Sequence, residues 1–510
     1  MQTLLKTLLA HIADAHIHGD PETVVTGITH DSRHIESGDV FVCLKGAAFD
    51  GHTFAAEAIK QGASALIINE KGLEAAGVQI PDGAVVVSVP DTRKALPHIA
   101  CAFYADPSHK MTVVGVTGTN GKTTTTHMMA AILRAAGFSV GTVGTLGSEL
   151  DGKPIPSDHT TPEADHLQRL LAEMRDGGAS AVVMEVSSHA LAQYRTDGIA
   201  FAAGIFTNLT QDHLDYHGTM ESYFAAKARL FAEYPVLYPR PDGALFTSVI
   251  NVAQWEGRDL VTLARGDVLT YTTKDNPAVL KARDIELSPT TVRFTAVYDS
   301  GIEKWELPIV LPIGGAFQVG NALGAIGAAL RLGVKKETIA QGLAALPPVP
   351  GRFESVAVPN NTYSVVVDYA HTPDGLENVL KSARELKPNR IITVFGCGGN
   401  RDKTKRPKMG NLAATLSDIA IVTSDNPRKE EPDAIIQEIL AGMSGNDITA
   451  EIHVEADRRK AIFLAIEKAK AGDLVVIAGK GHEDYQIVGD HVLAFDDRLV
   501  AAEAIGAKEQ

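Results

Sequence analysis

The sequence predicts an α/β protein of three domains, the last two built as doubly wound sheets. Three observations carry this: a length of 510 residues, a hydrophobic share of 45%, and a recurring alternation of short apolar runs with helical stretches. A chain this long exceeds what a single core organises and divides into roughly three units. Glycine at 46 and proline at 24 are close to ordinary globular usage, which excludes a disordered or collagen-like chain. With 47 basic and 62 acidic residues the formal charge is −15. That balance disfavours broad electrostatic binding to nucleic acid or an anionic membrane. Cys43, Cys101 and Cys397 are widely spaced and odd in number, which suits a reducing compartment and offers neither a disulfide framework nor zinc spacing.

No run approaches the ~18 apolar residues of a membrane helix, so no membrane insertion is expected. The opening stretch from Met1 is interrupted by Lys6 and followed at once by His11, Asp14 and His16. It reads as a short amphipathic helix burying Leu4, Leu5, Leu8, Leu9 and Ile12 rather than as a signal peptide, and a cytoplasmic protein is expected.

Residues 1–108 alternate apolar runs (Asp39 to Leu44, Ala65 to Ile68, Ala84 to Val89) with helical stretches such as Thr53 to Gln61, as in a small α/β domain. The pattern breaks at Asp106-Pro107 and a new strand begins at Met111. In residues 109–346 strands at Ser139 to Gly144, Ala181 to Glu185 and Ala202 to Thr207 alternate with helices, the pattern of a parallel sheet covered on both faces. A β-rich, charged stretch follows from about Leu260 to Leu311. An alanine- and glycine-rich helix around Asn321 to Leu332 ends at Gly333, and Pro347-Pro-Val-Pro-Gly-Arg is a stiff connector. Residues 347–510 repeat the strand and helix alternation, with strands at Ser364 to Asp368, Ile391 to Phe395, Ile419 to Thr423 and Leu474 to Ala478.

The strongest local signal is Gly115-Val-Thr-Gly-Thr-Asn-Gly-Lys-Thr-Thr, set between a strand ending near Val116 and a helix from about Lys122 to Ala136. Gly115, Gly118 and Gly121 let the backbone curl, so that several N–H groups and the helix N-terminus face one anion, with Thr119, Asn120, Thr123 and Thr124 expected at the nucleotide. Lys122 adds a cation and Thr123 a hydroxyl for Mg2+. This is a nucleoside-triphosphate loop of variant form, because Val116 stands where the first glycine of the general pattern belongs. Switches, transporters, kinases and ligases all use such a loop.

Other residues narrow the choice. Glu185 ends a buried strand near the crevice where ligands bind in open sheets, and can hold Mg2+; an isolated carboxylate there reads more readily as a salt-bridge partner. His213 sits in Ile205-Phe-Thr-Asn-Leu-Thr-Gln-Asp-His-Leu-Asp-Tyr-His-Gly, a polar turn aimed at the same crevice, although a lone histidine is ordinarily structural. Lys227, in helix Glu221 to Phe231, reads on its own as an exposed helix lysine.

Gly115 to Thr124, Met184-Glu-Val-Ser-Ser-His, Asn208 to Gly218, Ala226-Lys227 and Val367-Asp-Tyr-Ala-His-Thr-Pro-Asp together resemble the Mur ligase family, in the branch that adds the third residue of the peptidoglycan stem peptide. The resemblance spans the whole chain. It implies a UDP-sugar-binding α/β domain, a central P-loop parallel-sheet ATPase domain and a C-terminal Rossmann-like domain that brings the amino acid. It further implies ATP and Mg2+ as cofactors, Lys122, His213 and a CO2-carbamylated Lys227 as catalytic groups, and Thr123, Glu185, His213 and Lys227 around the metal. Asn321, Arg352, Asp368 and His371 match positions around the nucleotide. His30 and Ser32, in Thr29-His-Asp-Ser-Arg, match the uridine-binding start, whereas Lys45-Gly-Ala-Ala-Phe-Asp-Gly departs from the His-Gln-Ala version of some relatives. His159, Thr160, Thr161, Ser187, Gln193 and Arg195 match positions holding the muramoyl-dipeptide. The fork of Arg195 suits a carboxylate.

Asp425-Asn426-Pro427-Arg428 resembles the meso-diaminopimelate motif, and lysine-adding relatives differ at its last position. The second α-carboxylate of diaminopimelate gives Arg428 a partner. Arg401, Gly479 and Glu483 match further contacts to this substrate. The expected partners are therefore UDP-N-acetylmuramoyl-dipeptide and meso-diaminopimelate, with no nucleic acid and a monomeric chain. The expected reaction is amide ligation through an acyl phosphate; L-lysine addition, folylpolyglutamate synthesis and a bond-free P-loop ATPase are the alternatives that the residues leave open.

Overall fold

The computed structural model describes residues 2–46, 49–157, 159–445 and 448–508; Met1, Ala47 and Ala48, which figure in the readings above, lie outside them. A five-stranded sheet runs His16–His18, Val86–Ser88, Ala65–Ile68, Asp39–Val42, Gly27–Thr29, parallel except at its first edge. The helix expected at the N-terminus is reduced to Leu5–Leu8, because Thr3–Leu4 pairs with Val24–Val25 as a short strand. Leu5, Leu8 and Leu9 are buried as expected, while Leu4 and Ile12 are only partly covered.

The central sheet has eleven strands in the order Lys153–Ile155, Gly147–Leu150, Val140–Gly144, Ala181–Glu185, Thr112–Thr117, Phe201–Phe206, Thr247–Asn251, Asp267–Thr272, Leu280–Leu287, Val292–Asp299, Lys304–Leu311. The strands from Val140–Gly144 to Leu280–Leu287 pair in parallel; both ends finish antiparallel. Parallel strands covered on both faces need side chains that are apolar whichever way they point, and Val113, Val114 and Val116 meet this. One face packs under helices Lys122–Ala135, Gln318–Arg331 and Lys336–Ala344. The glycines of Gln318–Arg331 permit its close approach: a Cβ on Gly327 would stand 2.9 Å from both Leu269 and Val249. The β-rich stretch begins later than the sequence predicts, since Leu260 belongs to helix Trp255–Leu263, whose apolar side faces the sheet.

The C-terminal sheet runs Glu354–Val356, Ser364–Asp368, Leu474–Ala478, Ile391–Phe395, Ile419–Val422, Glu451–Val454, parallel apart from its first strand. In both large sheets the loops that carry the candidate residues leave the carboxyl ends of central strands, where an open parallel sheet leaves a crevice. Among the described residues no helix is long and apolar enough to cross a membrane.

One buried ion pair anchors the ends of these C-terminal strands. Arg458 donates to Asp497 at 2.8 and 2.7 Å and to the carbonyls of Ala478 and Ser424, with neither side chain exposed. Arg458→Ala strands a buried carboxylate and is expected to cost about 3–5 kcal/mol. Denaturant unfolding checks this, and Arg458→Met with Asp497→Asn should recover a good part of the loss.

Candidate active site

The phosphate loop follows strand Thr112–Thr117 and opens into helix Lys122–Ala135. Gly118 (φ +148°) and Gly121 (φ +85°) hold conformations that L side chains rarely adopt, and there is no room for a Cβ: one on Gly118 would stand 1.9 Å from Thr207 Oγ1, one on Gly121 2.3 Å from Asn321 Oδ1. Gly115, by contrast, lies inside the strand, beneath the turn, where a Cβ would meet the ring of Phe201 at 2.9 Å. Asn120 N donates to Asn208 Oδ1 at 2.9 Å and Thr119 N to the Asn208 carbonyl at 2.9 Å, which fixes the turn against the loop after strand Phe201–Phe206.

Lys122 Nζ donates to the carbonyls of Gly118 at 3.0 Å and Thr119 at 2.8 Å. Lys227 Nζ reaches the same Gly118 carbonyl at 2.8 Å and lies 4.7 Å from the centre of the Tyr223 ring. Lys227 is 1% exposed; the reading of an exposed helix lysine is overturned, because helix Met220–Ala232 presents this position to the underside of the loop. Burial and then the charge of Lys122 hold the Lys227 ammonium well below the ordinary lysine range, and burial lowers Lys122 as well. Lys227 therefore has an enlarged fraction of neutral, nucleophilic amine.

Glu185 is buried at the end of strand Ala181–Glu185, and its carboxylate accepts from Thr145 N at 2.8 Å and Thr145 Oγ1 at 3.2 Å. Thr123 Oγ1 accepts from Arg352 at 3.0 Å. His213 (φ +54°) stands 4.8 Å from the His189 ring, and burial pushes its pKa down to about 4, against the pull of Asp212. Its imidazole is neutral near pH 7, the form that binds a metal. Among the described residues no three His, Cys, Asp or Glu side chains are gathered as a metal cluster. A divalent cation beside this set is repelled by the Lys227 ammonium unless that charge is lost.

A cleft of about 750 Å³ joins these groups to the C-terminal domain. Thr119 to Thr124, Glu185 and His213 line it, as do Asn321, Arg352, Asp368 and His371. Asp368 accepts from Phe353 N at 2.7 Å and Ala370 N at 2.9 Å, and burial raises its carboxyl to about 6. Asn321 Nδ2 donates to Gln318 at 2.8 Å. Arg352 lies 4.8 Å from the Tyr369 ring with its Nε buried and without a partner, and the amide nitrogen of Gln318 is likewise unpaired. A nucleotide with polar edges and anionic oxygens fits a cleft with unsatisfied donors.

The positions assigned to the dipeptide border the same cleft. His159, Thr160, Thr161, Ser187 and Arg195 line it. Arg195 donates to the Thr161 carbonyl at 3.0 Å, to Gln193 Oε1 at 3.1 and 2.7 Å and to Glu163 at 2.9 Å. Its fork is thereby held facing the cleft wall. His30 and Ser32 are not part of this gathering: they lie in the N-terminal domain, where His30 pairs with buried Asp165 at 2.8 Å and Ser32 opens a short 3-10 turn.

The remaining set clusters on loops after three adjacent C-terminal strands. Arg428 (φ +53°) donates through Nη1 to the Gly399 carbonyl at 2.9 Å and through its backbone to Ile487 at 3.0 Å. Asn426 and Glu483 meet at 2.8 Å, and buried Lys480 contacts both. Asp425 is buried beside Gly479, where a Cβ would approach its Oδ2 to 2.6 Å. Pro427 stands against Gly399, and Arg401 is exposed on the facing loop. Glu483 also lines a chamber of about 270 Å³, together with Thr145, His159, Thr160, Tyr369 and His482, so this cluster opens toward the dipeptide positions.

Sequence reasoning did not single out Thr145, Glu163, Asp374 or Lys480. Asp374 stands inside the motif from Val367 already quoted, and Lys480 in Gly479-Lys-Gly-His-Glu; Thr145 and Glu163 carry no local signal.

Fold and site together define a three-domain protein with a central phosphate loop whose cleft is closed by a nucleotide-type sheet. Residues 24–104 match the Mur ligase family catalytic domain, 116–329 the Mur ligase middle domain and 351–481 the Mur ligase glutamate ligase domain. The chain belongs to the Mur ligase family. It is 44% identical over 503 residues, 98% of this chain and 99% of the relative, to the UDP-N-acetylmuramoyl-L-alanyl-D-glutamate--2,6-diaminopimelate ligase of Geobacillus thermodenitrificans. With the enzyme of the same name from Gloeobacter violaceus it shares 46% over 490 residues, 96% and 95% of the two chains. A solved structure of a ligase of that name superposes with a TM-score of 0.68 at 31% identity, covering 100% of both chains.

Gly118→Ala tests the loop geometry. The added methyl collides with Thr207 in a backbone conformation alanine resists, so affinity for a nucleoside triphosphate should fall by ~100-fold or more. Equilibrium titration with a fluorescent nucleotide measures this, with thermal unfolding showing an intact fold.

Proposed function

We propose that this protein is an ATP-dependent ligase that joins meso-diaminopimelate to UDP-N-acetylmuramoyl-L-alanyl-D-glutamate in cytoplasmic peptidoglycan precursor synthesis. The observation that carries the reading is a cleft lined by the phosphate loop beside a chamber bordered by Glu483, the two sharing Thr145, His159, Thr160 and Tyr369 in their walls. Relatives alike over nearly their full length carry this activity in their names. In this reading residues 1–108 take the UDP-sugar, 109–346 the ATP and 347–510 the amino acid.

The terminal D-glutamate carboxylate attacks the γ-phosphorus; a new O–P bond forms, the bond to ADP breaks, and an acyl phosphate results. The neutral amine of diaminopimelate then attacks the acyl carbon, phosphate leaves and the amine proton is lost. Three anionic groups crowd the first step, so Lys122, the loop amides and the N-terminus of helix Lys122–Ala135 stabilise it by placed charge. Arg195 holds the dipeptide, while Asn321, Arg352, Asp368 and His371 hold the nucleotide. Thr123, Glu185, His213 and a carbamylated Lys227 would hold Mg2+, which would supply further neutralisation of negative charge. Arg428 meets the distal carboxylate of diaminopimelate with Arg401, Asp425, Asn426, Pro427, Gly479 and Glu483 around the same substrate.

Carbamylation needs CO2 and a neutral amine. Burial and the charge of Lys122 lower the pKa of Lys227, which enlarges its neutral fraction, and lowering the pH shrinks that fraction again. Ligase activity should therefore drop when the chain is assayed in CO2-stripped buffer, the more so as the pH is lowered, and return with bicarbonate, whereas Lys227→Met should show no response to bicarbonate.

The decisive assay supplies UDP-muramoyl-dipeptide, ATP and either diaminopimelate or L-lysine. Amide formation with diaminopimelate is expected, and Arg428→Ala should raise its KM by about tenfold or more with little change for ATP. Phosphate release without a new amide bond rejects the proposal.

A further inference from the structure

Glu163, Ala164 and Asp165 open helix Ala164–Asp176 of the central domain, just after the dipeptide positions Thr160 and Thr161. Acidic residues at such a place are ordinarily explained by their own helix dipole. All three, however, reach into the N-terminal domain. Buried Asp165 accepts from the backbone N of His30 at 3.0 Å and meets its ring Nδ1 at 2.8 Å. Ala164 is buried in the apolar core of that domain, with Leu96 and Ile99. Glu163 accepts from Arg93 of the N-terminal domain at 3.3 Å, and it pairs on the cleft side with Arg195 at 2.9 Å. Arg93 also donates to the Lys45 carbonyl at 3.2 Å, and the next residue, Lys94, lies 5.1 Å from the centre of the Tyr194 ring.

Docking two domains needs only the apolar contact at Ala164. The flanking carboxylates add direction. A carboxylate that engages both the backbone and the ring of one histidine fixes that ring, and leaves Nε2 as the ring nitrogen free of it. Glu163 does the same for the Arg195 guanidinium, together with Gln193 and the Thr161 carbonyl. His30 and Arg195 are the residues assigned to opposite ends of one elongated substrate, and three consecutive residues hold both. We propose that Glu163 and Asp165 are positioning residues that set the spacing between the nucleotide-sugar end and the dipeptide end of that substrate, Asp165 by orienting His30 and Glu163 by orienting Arg195. The inference rests on the nucleotide-sugar half of the proposed function.

Ligation kinetics of the full-length protein separate the two ends when the intact UDP-muramoyl-dipeptide is compared with the muramoyl-dipeptide phosphate that remains once uridine monophosphate is removed. Asp165→Asn keeps the shape and one oxygen acceptor; it should raise KM for the intact substrate about fivefold and leave KM for the fragment and for ATP unchanged. Glu163→Gln should raise KM for both muramoyl substrates, again with ATP unchanged. Added to His30→Ala, Asp165→Asn should cost nothing further. An unchanged KM for the intact substrate in either folded variant, a rise shared equally by ATP, or a further loss on top of His30→Ala overturns the proposal. The Glu163 side chain is 20% exposed, so Glu163→Gln carries the test where Asp165→Asn does not fold. A parent that forms no amide overturns the ligase reading instead, and one that uses the fragment as readily as the intact substrate overturns the assignment of residues 1–108 to the UDP-sugar.

Discussion

Two lysines share one carbonyl oxygen. Lys122 and Lys227 both donate to the Gly118 carbonyl, and the electrostatic cost of holding two ammonium groups there governs the rest of the site. Like charges at this range, out of bulk water, disfavour each other by several kcal/mol unless anions or proton loss relieve them. A triphosphate offers one relief and deprotonation of Lys227 the other. The two suit different moments of one reaction: an amine that has lost its proton can take up CO2, and the resulting carbamate turns a repelled position into an attractive one for a divalent cation.

That charge arrangement needs the parallel sheet. Thr117, Glu185 and Phe206 end three neighbouring strands paired in register, so the phosphate loop, the metal-linked carboxylate and the polar turn around His213 all leave the sheet at one end. The C-terminal sheet repeats the device with Phe395, Val422 and Ala478. Bringing these two crevices together sets the phosphate-loop cleft beside the chamber that Glu483 borders. Arg352 and Asp374 make the junction physical, one reaching Thr123 and the other Asn120. No loop needs to be long, because strand register has already set the distances.

The legible part of this was whatever local chemistry fixes. Strand runs at Ala181 to Glu185 and Leu474 to Ala478 read directly from unbroken apolar stretches, and the phosphate loop from its glycines between a strand and a helix. Burial of Lys227 was illegible by periodicity, since a lysine in an amphipathic helix is ordinarily solvated; only its place in a longer family pattern distinguished it. The N-terminal helix was overread for the opposite reason: Leu4 fits the helical stripe, but pairing with Val24 captures its backbone. Contacts between distant segments carried no sequence signal at all. Nothing near His30 announces Asp165 of the central domain, because that pair depends on how separate cores dock, and nothing near Arg195 announces Glu163, because that pair depends on how two loops of one domain meet.

The unsatisfied guanidinium at the cleft wall follows from the same demand for charge placement. Arg352 lines the cleft while its Nε is buried without a partner, and such a group costs about 1–3 kcal/mol in a folded protein. The guanidinium lies over Tyr369 and donates to Thr123, so its orientation is fixed before any ligand arrives. A fixed, unsatisfied donor discriminates by geometry, since a ligand lacking the matching acceptor leaves the deficit uncorrected. In the proposed function an anionic oxygen of the nucleotide is the acceptor that this arrangement favours.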